Sequence, residues 1–258
     1  MHNKIFHYLI SIVTLLFLSS SVCAQVWVMT EADNSTTYIG ENWLKSIEYD
    51  EEGVSSSIYN LSKDIMILID ENQEIYAKGS SIDLCNAMKS FRDDMNKNMP
   101  ASQQKMMQDM IKAEKAKPAL EITVSKSNGE KIAGYQTTKY SIFINGGLYE
   151  EMWITNDSEL SNIIKGYKKV LKEGLKIAEC SVPDEAFLRS SPEFSNEYKE
   201  VEMAGVTLKS VNYDDYGSNR QIEVVSLTKE DISTSEFQAP EGYKLLSFKE
   251  YFMATSGM

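Results

Sequence analysis

The stretch TTKYSIFINGGLYEEMWIT, residues 137–155, decides the fold. Two runs rich in β-branched and aromatic residues, TTKYSIFI and LYEEMWIT, flank Asn145-Gly146-Gly147. Asn-Gly supplies the positive φ that a tight hairpin turn demands, so this spacing predicts a pair of antiparallel strands. Just upstream, LEITVSK and EKIAGYQ flank Ser127-Asn128-Gly129 and predict a second hairpin of the same kind. Just downstream, NDSEL (156–160) offers a helix N-cap with Glu159 as its capping partner. Leu160, Ile163, Ile164, Tyr167, Leu171, Leu175 and Ala178 then recur at helical spacing, the cleanest amphipathic face in the chain.

Towards the N-terminus, residues 25–79 read as strands: VWVMTEA, YIGENWLKSIEYD, SSSIYNL, KDIMILID and QEIYAKG, parted by the turn chemistry of ADNS, DEEG and DENQ. From Ile82 the period changes. Leu84, Met88, Phe91, Met95 and Met99 mark a helix that Pro100 ends. A second helix follows with Met106, Met107, Met110 and Ile111 on its apolar stripe, ending before Pro118. Residues 184–202 read as a short helix interrupted at Pro192. VTLKSVNY and RQIEVVSLT then bracket the loop DDYGSN, and the turn FQAPEGY leads to a last apolar segment, LLSF. Strands before, between and after helices, joined by hairpins, predict an α+β protein built on an antiparallel sheet. No linker or repeat divides residues 25–258, so one domain is expected there.

The first 24 residues have the pattern of an export signal. Lys4 precedes the apolar run IFHYLISIVTLLFL, and SSSVCA places small residues before a cut after Ala24. A lipid-modified Cys23 is the weaker alternative, because Val22 and Ser20 suit that signal poorly. An exported protein, periplasmic or extracellular, is expected. Removing residues 1–24 takes away both histidines, His2 and His7, and with them every imidazole-based nucleophile or metal ligand. What remains has 25 basic and 38 acidic residues, a net charge of −13, which argues against a nucleic-acid partner. Cys85 and Cys180 could form a disulfide in an oxidising compartment or stay as two separate buried thiols. Separate thiols are the expectation.

Six methionines fall within residues 88–110, which poses a choice between three roles. Methionine fills irregular gaps in a core, offers a pliable apolar surface to a ligand, or ligates Cu(I) through its thioether. Met107 and Met110 lie one helical turn apart, but with no histidine beside them copper is the most distant reading. Lys165, Lys168, Lys169, Lys172 and Lys176 form a positive stripe that could meet a membrane surface, although a solvated helix face is its expected role. Trp27, Trp43, Tyr59, Tyr76, Tyr135, Tyr140 and Trp153 fall in strands and are expected to pack on the sheet. Neighbouring carboxylates such as Glu150 and Glu151 should point to opposite faces of a strand, and no nucleophile elbow, phosphate loop or calcium loop is present.

The segment GYQTTKYSIFINGGLYEEMWIT (134–155), with its Gly-Tyr, Lys-Tyr and Glu-x-Trp strands, and the later FQAPEGYKLL resemble an uncharacterised family of exported bacterial domains. That family is similar to the LolA/LolB-like periplasmic lipoprotein carriers. The resemblance implies a strongly curved antiparallel sheet, an incomplete β-barrel, with helices covering its open side. It implies an apolar interior for acyl chains, and it brings neither catalytic residues nor a cofactor. The resulting expectation is a non-enzymatic binding protein for a lipid or other hydrophobic molecule, held between the sheet and the helices of residues 83–117 and 157–179. Met88, Phe91, Met95, Met99, Met106, Met107, Met110, Ile163, Tyr167 and Leu171 are the candidate lining. The alternative is a structural or protein-interaction component of the cell envelope with no ligand cavity.

Overall fold

A computed structural model describes residues 23–50, 53–213 and 219–256. Residues 1–22, which carry most of the expected export segment, lie outside the described residues, as does most of the DDYGSN loop. The N-terminal block forms β1 (Cys23–Glu31), β2 (Thr36–Ile39), β3 (Trp43–Asp50), β4 (Gly53–Asn60), β5 (Ile65–Asp70) and β6 (Ile75–Gly79). Helices α1 (Ser81–Asn98) and α2 (Ala101–Ala116) meet at Pro100 as expected. There follow β7 (Ile122–Ile132), β8 (Tyr135–Ile144), β9 (Gly147–Thr155), then α3 (Ser161–Ser181), α4 (Glu185–Ser190) and α5 (Asn196–Glu202). The chain closes with β10 (Val206–Tyr213), β11 (Asn219–Ser233), β12 (Lys244–Leu246) and α6 (Phe248–Thr255).

All twelve strands join one curved sheet in the order β12-β6-β5-β4-β3-β2-β1-β11-β10-β9-β8-β7. Its two edge strands do not pair, so the sheet stays unclosed. Bulges between Thr30 and Glu31, Asn128 and Lys131, Ile142 and Phe143, and Thr207 and Lys209 interrupt the ladder. Each such insertion bends its strand and increases the local twist. The hairpin at Asn145-Gly146 forms as the sequence requires, with φ of 50° and 82° at the two turn residues.

Three local expectations are corrected. YIGENWLKSIEYD is two strands, because the chain reverses at residues 40–42 and the Gly40 N–H donates to the Trp43 carbonyl at 2.8 Å. Ser127-Asn128-Gly129 does not turn the chain. It becomes a bulge within β7, and the reversal moves to Ala133 and Gly134, at φ 47° and 90°. Gly129 is needed there for space, since a Cβ on it would lie 2.2 Å from Thr137 Oγ1. Glu159 does not cap α3. Its N–H instead donates to Asp157 at 2.9 Å, across a short turn of 3₁₀ helix before α3. The last apolar segment, LLSF, supplies the end of β12 and the start of α6, and β12 pairs with β6 in parallel, unlike every other described pair.

Alternation along the strands gives the sheet two apolar faces. On the inner face, Met29, Ile39, Leu208, Val224 and Leu227 pack under Leu160, Ile163 and Ile164 at the start of α3. Helix α3 crosses the sheet at Gly166, where a Cβ would make only ordinary contact, 3.6 Å from the Gly40 carbonyl oxygen. Further along that face, Ile75 and Ala77 pack with Leu84 of α1 and with Phe248 and Tyr251 of α6. The opposite face buries Val26, Val28, Ile58, Ile67 and Ile69 beneath Phe237. It also buries Tyr140, Ile142, Met152 and Ile154 beneath Tyr198 and Val201 of α5. Each large aliphatic side chain buried in this way contributes about 1.5–3 kcal/mol. Between the helices the inner face is polar: Thr37, Ser46 and Ser57 occupy one cross-strand row, and the Thr37 and Ser46 hydroxyls lie 3.2 Å apart.

Candidate ligand-binding grooves

Helix α1 is fixed to α3 at two points. Cys85 and Cys180 form a disulfide across a Cα–Cα distance of 5.5 Å, which corrects the expectation of separate thiols. The two helices bring together cysteines 95 positions apart, a proximity that spacing in sequence cannot reveal. Arg92 then donates to the carbonyls of Cys180 and Val182, at 3.2 and 2.6 Å. A cation bound to otherwise orphaned carbonyls at a helix C-terminus is favourable for both charge and hydrogen bonding.

Beyond Arg92 the end of α1 carries its methionines clear of the sheet. Phe91 rests on Phe252 of α6, with ring centroids 5.9 Å apart. Phe91, Met95, Met99, Pro100 and Met253 line a groove of about 380 Å³ between α1, the start of α2 and α6. Its volume lies in the range of small-molecule clefts, roughly 300–1,000 Å³. On its rim Lys249 pairs with Asp94, and the Lys249 hydrogen bond holds the Asp94 carboxyl below its ordinary range. Gln104 fixes the α1–α2 corner by donating to the carbonyls of Asn96 and Met99, at 3.1 and 2.9 Å.

A second and larger groove, about 790 Å³, opens where α3 crosses the end of the sheet at which β1 begins and β2 turns into β3. Trp27, Trp43, Lys165, Lys169 and Lys229 contribute to its walls, and Gly40 and Gly166 lie at the crossing. Lys169 donates to the Leu61 carbonyl.

The expected lining residues therefore divide. Phe91, Met95 and Met99 share the first groove. Met88 belongs to the cluster around Leu84 and Phe248, and Ile163 is 2% exposed in the core while also edging the second groove. Tyr167 and Leu171 are half-buried on α3, and burial pushes the Tyr167 hydroxyl up to about 12. Helix α2 buries none of its residues: Met106 and Met110 are 60% and 51% exposed, and Met107 is half-buried. Of the lysine stripe, Lys169 is held by Leu61 and Lys176 pairs with Glu173 at 2.7 Å.

Glu150 and Glu151 do point to opposite faces. Glu151 meets Lys139 at 2.7 Å and accepts a hydrogen bond from Tyr213 at 2.9 Å, beside a Trp153 ring flanked by the ammonium groups of Lys139 and Lys209 at 4.8 and 5.1 Å. Glu150 is buried and accepts from the Tyr198 hydroxyl at 2.6 Å. Glu193, which accepts from Tyr149 at 2.7 Å, and Glu202 complete an acidic group at the junction of α5 and β9. Burial, followed by the charges of Glu150 and Glu193, raises the Glu202 carboxyl to about 7. Among the described residues no group of three or more His, Cys, Asp or Glu side chains is arranged to hold a metal ion.

Sequence reasoning missed the contribution of α6, although Ser247 and Glu250 make a capping box that marks its start. It also missed Lys229, which register places directly across from Trp27.

No family model and no curated protein matches the chain. Two solved structures share some of its shape. An uncharacterized conserved protein from Thermus thermophilus is 6% identical, with 88% of this chain and 91% of that chain covered at a TM-score of 0.38. MucB is 10% identical, with 87% of this chain and 59% of that chain covered at a TM-score of 0.26. Similarity at these scores carries no argument about this chain.

Proposed function

We propose that the protein is an exported, non-enzymatic binding protein of the LolA/LolB-like carrier kind, and that its ligand is an acyl chain or a comparable hydrophobic molecule. The observation that carries this reading is the groove of Phe91, Met95, Met99, Pro100 and Met253, an apolar cleft of about 380 Å³ open to solvent between three helices. Unbranched thioethers repack around ligands of varied shape, and each methylene that leaves water contributes about 0.8 kcal/mol. Seating the ligand against α1 and α6 agrees with an inner sheet face that is filled by α3 at one end and lined by hydroxyls in the middle. The export-signal pattern and the carrier resemblance of residues 134–155 support the compartment and the class.

A second reading, a protein-interaction surface, is favoured by Met106 and Met110, which extend exposed apolar surface past the groove along α2. Titration with dansyl-undecanoic acid decides between the two. Saturable binding, weakened at least tenfold by Met95→Gln with Met99→Gln and unchanged by Met106→Gln with Met110→Gln, is expected. Absence of binding, or equal binding by the groove variant, refutes the acyl reading.

A further inference from the structure

We infer that the groove between α3 and the β1–β2–β3 end of the sheet is a second binding site, for an acidic monosaccharide unit. The chain carries a net charge of −12, yet three lysines converge on this groove from two elements. Lys165 and Lys169 stand one turn apart on α3, and Lys229 reaches in from β11. Among the described residues neither Lys165 nor Lys229 forms an ion pair, and both are exposed. An anion seated in this groove meets ammonium groups from both elements.

The remaining chemistry selects the kind of anion. Trp27, the direct cross-strand neighbour of Lys229, shares that lysine's face of the sheet and is half-buried at the groove, whereas the Trp43 ring packs on the opposite face, 5.9 Å from the Phe237 ring. Indole faces accept the C–H face of a pyranose or another planar apolar surface. Glu41, Asn42 and Glu159 also edge the groove. They supply acceptors and an amide for hydroxyl groups. The two carboxylates repel a compact multivalent anion, whereas a hydroxylated ring with one acidic group satisfies the lysines, the carboxylates and the Trp27 indole together. An acyl chain would leave this polar perimeter unpaired, which is unfavourable. The site is therefore distinct in chemistry from the methionine groove.

Tryptophan emission and calorimetry with glucuronic acid and glucose 6-phosphate test the assignment on the full chain. Binding is expected for at least one of these acidic sugars, with glucose and inorganic phosphate each at least tenfold weaker. Lys165→Gln and Lys229→Gln should each weaken binding about fivefold without moving the urea midpoint, because both side chains are exposed. Inorganic phosphate binding as tightly as glucose 6-phosphate would reduce the site to an anion patch and overturn the saccharide assignment. Failure of both acidic sugars to bind, or a double lysine variant that binds normally, would overturn the site itself. Met95→Gln with Met99→Gln serves as the control: it should leave sugar binding intact, whatever becomes of the acyl ligand.

Discussion

Stability should fall between pH 5.5 and 8, and Glu202 should be the main reason. The groups around it are Glu150 on β9, Glu193 in the 192–194 turn, Tyr198 and Lys199 on α5, and Tyr167 on α3. Lys199 alone opposes the rise of the Glu202 carboxyl from 4.5 to about 7. A carboxyl raised by folding binds its proton more tightly in the native state, so its stabilising effect is complete below pH 4.5 and is lost as pH rises through 7. Linkage over this window gives about 2 kcal/mol between pH 5.5 and 8, and roughly half that after screening of a half-exposed group. Glu150, also raised by burial, adds in the same direction. Carboxyls held low by partners, such as Asp83 and Glu151, act with the opposite sign at more acidic pH, outside this window. Urea unfolding at the two pH values measures the effect. Glu202→Gln should flatten most of the slope and raise stability at pH 8, whereas Glu200→Gln, an exposed change on the same helix, should leave the slope alone. A wild-type protein with no loss of stability by pH 8, or a Glu202→Gln variant with an unchanged slope, refutes the reasoning.

Replacing both Cys85 and Cys180 with alanine releases a constraint across 95 positions and should cost about 4–5 kcal/mol in the chain-entropy model, read as a lower urea midpoint. A midpoint that reductant does not move would contradict this. Gly205→Ala places a methyl group 2.1 Å from the Thr155 carbonyl oxygen, a backbone atom that cannot swing away, and should cost about 1–3 kcal/mol or more in thermal unfolding. Gly174→Ala, in α3 with nothing within 4 Å, should instead stabilise by about 0.5–1 kcal/mol.

Local chemistry made much of the fold legible. Asn145-Gly146 declared its hairpin, Pro100 parted two helices, and the Leu160–Ala178 stripe placed α3. Misreadings arose where a local signal served a distant contact. Asn128-Gly129 has turn chemistry, but Gly129 instead makes room for Thr137 and Trp153. The segment from Tyr38 to Asp50 is rich enough in strand formers to hide the three-residue reversal at 40–42. At the candidate sites, periodicity found Phe91 and Met95 because they share one face of α1, and Met99 because it follows directly at that helix's C-cap. It could not join Trp27 to Lys229 or Cys85 to Cys180, since each pair is brought together by tertiary structure.

The placement of β1 has a kinetic consequence. The first strand of the described chain lies mid-sheet, between β2 and β11, and Trp27 pairs with Lys229. Such long-range pairing requires an entropically unfavourable loop closure before any contact compensates for it. The two halves of the sheet cannot be joined through β1 until β11 has been synthesised, so a nascent chain holds that seam open until the residues up to Ser233 are made. Slow maturation, with β1 and the near edge of β10 exposed to pairing with other chains meanwhile, follows from a sheet whose centre is made from its two ends.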